Sequence, residues 1–125
     1  DVAGRDSAEF RSALLTADVL IIPTQPSQTD IEVLPFVLRL VNTAKQVNKN
    51  LKTFVVLNKA PTNNKSTEID AALELLQQVK SVKTLNTILR DRKQFRDAMI
   101  EGKSVLEMGS SKAKDELNEF LVEIL

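Results

Sequence analysis

The sequence predicts an α/β fold: a doubly wound, mostly parallel sheet with helices on both faces. Three observations carry that prediction. Val19 to Ile22 (VLII) and Lys52 to Leu57 (KTFVVL) are short, branched, apolar runs bounded by turn residues, and Thr84 to Leu89 (TLNTIL) is a weaker third. The stretches between them repeat apolar residues at helical spacing. Strands that alternate with helices in this way pair in parallel through crossovers, and continuous apolar runs are what strands buried on both faces require.

Taken in order, Asp6 with Glu9 has the spacing of a capping box, and Phe10, Ala13, Leu14 and Ala17 follow on one face, so a short helix is expected over roughly residues 7 to 16. The first strand, 19 to 22, ends at Pro23 and a polar loop. Ile31 to Val47 reads as the next helix, with Ile31, Leu34, Leu38, Val41 and Val47 on one face and Val33, Phe36, Val37 and Leu40 widening it. A helix so apolar in its first half is covered on two sides. Pro35 lies deep for a first-turn proline, which predicts a late start or a bend. After the strand at 52 to 57 and the loop APTNNKST, residues Ile69, Ala72, Leu73, Leu76 and Val79 mark a helix of about 13 residues. Thr84 to Leu89 is interrupted by Asn86 and Thr87 and is placed near a sheet edge. Arg92 to Ile100 is a short helix, with Phe95, Ala98 and Met99 inward and Gly102 as its stop. Ser110 or Ser111 caps a last helix whose inner face is Ala113, Leu117, Phe120, Leu121 and Ile124.

Composition narrows the chemistry. At 125 residues, 42% of them hydrophobic, the chain suits one domain over 1–125 with a real core. It has no histidine and no cysteine, which removes the usual zinc ligands, disulfides and the commonest general base. Carboxylates, lysines, arginines, hydroxyls and backbone amides remain. No apolar run is long enough to span a bilayer, and a cytoplasmic setting is expected. The opening DVAGRDS reads as though Asp1 ends a strand that begins upstream, so a fragment is expected.

Charge balances overall but not locally. Residues 80 to 96 carry a net +5, residues 97 to 125 a net −4 and residues 1 to 79 a net −1. A basic cluster of this kind suits nucleic-acid phosphates, and equally suits a helix edge paired with the acidic C-terminal helix.

In a parallel sheet the loops at Asp1 to Asp6, Pro23 to Asp30 and Asn58 to Ser66 emerge on one rim and converge on one crevice. Asp1 followed by Gly4 has the form of an acid that holds magnesium through a water, although an aspartate that opens a turn is the plainer reading. Ser27, Thr29 and Asp30 suit a ligand or partner contact, or simply caps of the helix they precede. Asn58-Lys59 suits the base side of a purine nucleotide, or a surface turn.

Together the pieces DVAGRDS, LIIPTQPSQTDIEVL, VVLNKAP and FRDAMIEGKSVLEMGSSKAKDELNEFLVEIL resemble, in order and across nearly the whole chain, the ParA/MinD family of deviant Walker ATPases, closest to the small plasmid and chromosome partition proteins. Pro23, Pro26, Ser27 and Asp30 match that family's proline-serine-aspartate loop, and Gly102, Lys103 and Ser104 its glycine-lysine turn, with serine replacing the usual proline. The resemblance implies the C-terminal portion of a P-loop NTPase-like domain that binds ATP and Mg2+, forms a homodimer, binds DNA non-specifically in the nucleoid and answers to a ParB-like centromere-binding protein, with no membrane attachment. It implies that Asp1 holds magnesium through water, that Gly4 lies near the γ-phosphate and that Asn58 and Lys59 lie on the base side. Ser27 and Asp30 would line the dimer face. Arg90, Arg92, Lys93 and Arg96 are the candidate DNA contacts. The family's glycine-rich, lysine-bearing loop is not among these residues, so the 125 residues are not expected to hydrolyse ATP by themselves. The alternatives are a non-catalytic ParA-like binding module and another deviant Walker enzyme, such as a MinD-like positioning protein or an amidoligase.

Overall fold

The computed structural model describes residues 1–2, 6–63, 66–79 and 82–125. The chain runs α1 (Ala8–Thr16), β1 (Val19–Thr24), α2 (Gln28–Val47), β2 (Lys52–Ala60), α3 (Glu68–Gln77), β3 (Lys83–Arg90), α4 (Lys93–Ile100), a 3-10 turn (Val105–Glu107) and α5 (Lys112–Ile124). The three strands form one sheet in the order β1-β2-β3, and both pairings are parallel. This is the expected α/β class.

Burial explains the layering. Successive side chains of a strand point to opposite faces. On one face Ile22, Val55 and Leu57 pack against Ile31, Leu34 and Leu38 of α2 and Ile69, Ala72 and Leu76 of α3. On the other, Ile21, Phe54, Val56 and Leu85 meet Phe120 and Ile124 of α5. Residues 53 to 57 of the central strand are all buried, as a strand covered on both sides must be. Helix α1 lies beside α2, where Phe10 and Leu14 join Val41, Ala44 and Leu51 and are backed by Val37 and Leu40. So α1 is part of the second cover expected for α2. Val33 and Phe36 stay exposed, with the Arg39 guanidinium 5.8 Å from the Phe36 ring. A smaller core of Ala98, Val105 and Ala113 ties α4 and the 3-10 turn to α5.

Several expected boundaries move, each for a local reason. Ser7, not Asp6, caps α1: its hydroxyl accepts from the Phe10 N–H at 3.1 Å, while Asp6 turns outward to pair with Arg11 at 2.6 Å. Strand β1 continues through Pro23 to Thr24, which an edge strand tolerates because an outward-facing proline gives up no ladder bond. Helix α2 begins at Gln28, earlier than expected, and keeps Pro35 inside it. Strand β2 runs to Ala60, so Asn58 and Lys59 belong to the strand and not to the loop after it. The expected α3 of about 13 residues is 10 long. Met99 does not face inward and is 80% exposed, since Phe95 and Ala98 already fill the inner side of a two-turn helix.

Candidate functional site

The C-terminal ends of β1, β2 and β3 share one rim, as the parallel order requires, and the chain reaches α2 across only three residues, Gln25 to Ser27. Two side chains fix that short loop. The Ser27 hydroxyl accepts from the Asp30 N–H at 3.3 Å, and the Asp30 carboxylate accepts from the Gln25 N–H at 3.2 Å. Ser27 and Asp30 thus do the capping work weighed for them, and Asp30 stays at the helix N-terminus, where a negative charge or a bound anion is favoured.

A cavity of about 610 Å³ opens beside β1. Its walls include Asp1, Thr24 and Asp30 as polar groups among apolar side chains such as Leu20, Val33 and Val37. Asp1 and Asp30, read separately from the sequence, therefore face one space. Asn58 and Lys59 do not line it. Asn58 is half-buried and Lys59 exposed at the end of β2, where Lys59 takes a left-handed φ of 51° within the register shift against β3 between Leu57 and Ala60. Gly4 lies outside the described residues.

The four candidate DNA contacts are already partnered. The Glu116 carboxylate on α5 accepts from Arg92 Nε at 3.0 Å and Nη2 at 2.6 Å, accepts from the Arg90 N–H at 3.3 Å and lies 4.0 Å from Arg90 Nε. Arg90 Nη1 also donates to the Pro61 carbonyl at 2.6 Å. The hydrogen bond to Glu116 holds the Arg92 guanidinium above its usual pKa, against the opposing pull of burial. Lys93 and Arg96 are far more exposed and pair locally, Lys93 with Asp97 at 3.8 Å and Arg96 with Asp91 at 2.7 Å. The pairing of a helix edge with the acidic C-terminal helix thus holds for Arg90 and Arg92.

Gly102 takes φ 65°, and the N–H groups of Gly102 and Lys103 return to the Met99 and Ala98 carbonyls to close α4. Ser104 caps the 3-10 turn reciprocally with Glu107. That serine has a structural task of its own.

Sequence reasoning missed the role of Glu123. Its carboxylate accepts from the N–H groups of Asn86 and Thr87 at 2.6 and 2.9 Å and from the Thr87 hydroxyl at 2.7 Å. Burial pushes this carboxyl up, but those three donors and the charge of Lys83 outweigh it, so its pKa is lowered. The signal was present: Glu116 and Glu123 are seven residues apart, two turns along one helix face.

Among the described residues no three acidic side chains gather as a metal cage. Magnesium needs less, since it keeps several waters and takes one or two carboxylates together with substrate phosphates. Asp1 and Asp30 at one cavity suit that kind of site. Among the described residues no helix is long and apolar enough to cross a membrane.

No family model matches the chain. It is 29% identical over 122 residues to "Maintenance of carboxysome distribution protein A" of Halothiobacillus neapolitanus, across 96% of this chain and 55% of that protein. The likeness supports the ParA/MinD family. It does not single out the family's plasmid-partition members. The chain spans about half the length of this relative.

Proposed function

We propose that the chain is the C-terminal part of a positioning ATPase of the ParA/MinD type, whose other part completes the sheet along β1 and brings the phosphate-binding loop. The observation that carries this reading is the cavity along β1: its apolar floor from Val19 to Pro23 is where the other part would pack, and Asp1, Thr24 and Asp30 are polar groups of the same hollow, with Thr24 at the C-terminal rim of a parallel sheet. Ligands of open α/β sheets bind at that rim.

In this reading Asp1 orients a water of the magnesium shell and Gly4 lies beside the γ-phosphate. Magnesium and ATP, when bound, supply the charge clamp and the phosphoryl group of the reaction. Ser27 and Asp30 hold the loop that meets a second copy in a homodimer. Asn58 and Lys59, at the end of β2, flank the base. Lys93 and Arg96 are the groups best placed to meet DNA phosphates non-specifically, with Arg90 and Arg92 held behind them by Glu116. The relative's name concerns carboxysome distribution, which favours the positioning of a cargo through an adaptor protein. Plasmid or chromosome partition with a ParB-like protein is the companion reading from the sequence.

The test is magnesium-dependent ATP turnover by the intact protein. Asp1→Ala is expected to lower kcat by about a hundredfold while the protein keeps its melting temperature. Turnover within twofold of the unaltered protein would overturn the role of Asp1, and absence of any nucleotide binding by the intact protein would overturn the reading as a whole.

A further inference from the structure

The opposite, N-terminal rim of the sheet holds a second concavity that the nucleotide reading does not use. It measures about 500 Å³, and three lysines from three elements line it: Lys45 from the last turn of α2, Lys52 from the first residue of β2 and Lys83 from the first residue of β3. Leu51, Thr53, Phe54 and Val82 complete the wall, and the Lys83 ammonium sits 5.8 Å from the Phe54 ring centre.

None of the three lysines forms an ion pair among the described residues. Glu123, whose charge reaches Lys83, spends both oxygens on the backbone and hydroxyl of β3. Asp18 also belongs to this rim, its backbone carbonyl accepting the Lys52 N–H at 3.0 Å. Six other cations, Arg11, Arg90, Arg92, Lys93, Arg96 and Lys103, each have a carboxylate within 4.0 Å. Thr53 adds a separate oddity, because its hydroxyl is buried and has no hydrogen-bond partner. A buried donor without an acceptor is costly, and three unpaired ammonium groups around one hollow repel one another.

We infer that this concavity binds a phosphate oxyanion, with Lys45, Lys52 and Lys83 as its charge clamp. Lysines serve phosphate as compact point charges without fixed geometry, which suits a hollow whose lysines come from a helix end and two strand starts. The phosphate is either free, as in inorganic pyrophosphate, or part of a nucleic-acid backbone. The inference stands apart from the proposed nucleotide site, since it concerns the other rim and different residues.

Titration of the intact protein, its nucleotide site kept filled with excess magnesium-ADP, with inorganic pyrophosphate, followed by calorimetry, tests it. Binding is expected to saturate and to weaken at least about tenfold in Lys52→Gln/Lys83→Gln. Lys103→Gln/Lys112→Gln, which removes two charges elsewhere, is expected to bind as the unaltered protein does. No saturable binding, or equal loss in both double variants, would overturn the site. Amide chemical shifts of the unaltered protein give a check that needs no variant: pyrophosphate should move residues 45, 52, 53 and 83 first, and shifts confined to other regions would overturn the assignment. A short DNA duplex then identifies the source. If it displaces pyrophosphate and is itself weakened by Lys52→Gln/Lys83→Gln, the phosphate is that of a nucleic-acid backbone; if it does not displace pyrophosphate, the ligand is the free anion.

Discussion

The two edges of the sheet are finished to different standards. Along β3, helix α5 lays Glu116 and Glu123 against the strand, so the outward N–H groups of Asn86, Thr87 and Arg90 end on carboxylate oxygens. Along β1 there is instead a cavity with Asp1 and Val2 at one side and half-exposed apolar residues of the strand as its floor. An edge strand with unanswered backbone groups invites pairing, and charges or a covering helix prevent it. Helix α5 thus seals one side of the domain, while the other has the surface of a place where more protein packs.

The sealed side should yield the largest effects. Glu116→Ala leaves the half-buried Arg90 and Arg92 without a partner and is expected to cost about 2 kcal/mol of unfolding free energy in urea titration; a loss below measurement error would mean that α5 does not hold this edge. Glu123→Gln should cost about 1 kcal/mol at neutral pH, because a neutral amide is a weaker acceptor for two backbone donors. The same variant carries a pH signature. Glu123 has its pKa lowered in the folded chain, so its contribution is whole above the ordinary glutamate value and is lost as the pH falls through the lowered one. Acid titrations of stability should therefore be steeper for the unaltered protein than for Glu123→Gln. Hydrogen exchange compares the two edges directly: in the 125-residue chain the outward amides of β1 should exchange at least about tenfold faster than those of Asn86 and Thr87. The smallest effect is expected at Val33→Lys on the uncovered side, a change of stability below about 0.5 kcal/mol together with weaker self-association by light scattering.

Much of this architecture was legible because it rests on local apolar patterning. The VLII and KTFVVL runs have no other way to be satisfied than burial on two faces, and the helical spacing from Ile31 onward leaves α2 little choice. Boundaries were less legible where one bond decides them. Ser7 displaced Asp6 as a cap because Arg11 offered Asp6 a bidentate partner, and that contact depends on geometry rather than spacing. Asn58 and Lys59 were read as loop because polar residues usually end a strand, yet the ladder to β3 carries β2 on to Ala60. In the candidate site, the shared rim followed from the topology. The commitment of Arg90 and Arg92 to Glu116 did not, since it joins residues 24 and 26 positions apart. Charge counting finds a basic stretch and an acidic one; only tertiary packing shows which members neutralise each other.

Pro23 gives the unsealed edge a grammar. A proline supplies a carbonyl but no amide hydrogen, so the outer rail of β1 is a ladder with one rung removed just before Thr24. A strand lying against that rail must place a residue there that asks for no donor, which rules out some alignments before any side chain is compared. One ring, at one position, thus restricts the register in which a neighbour can dock, and it favours a neighbour whose own ladder stops or bends at that height.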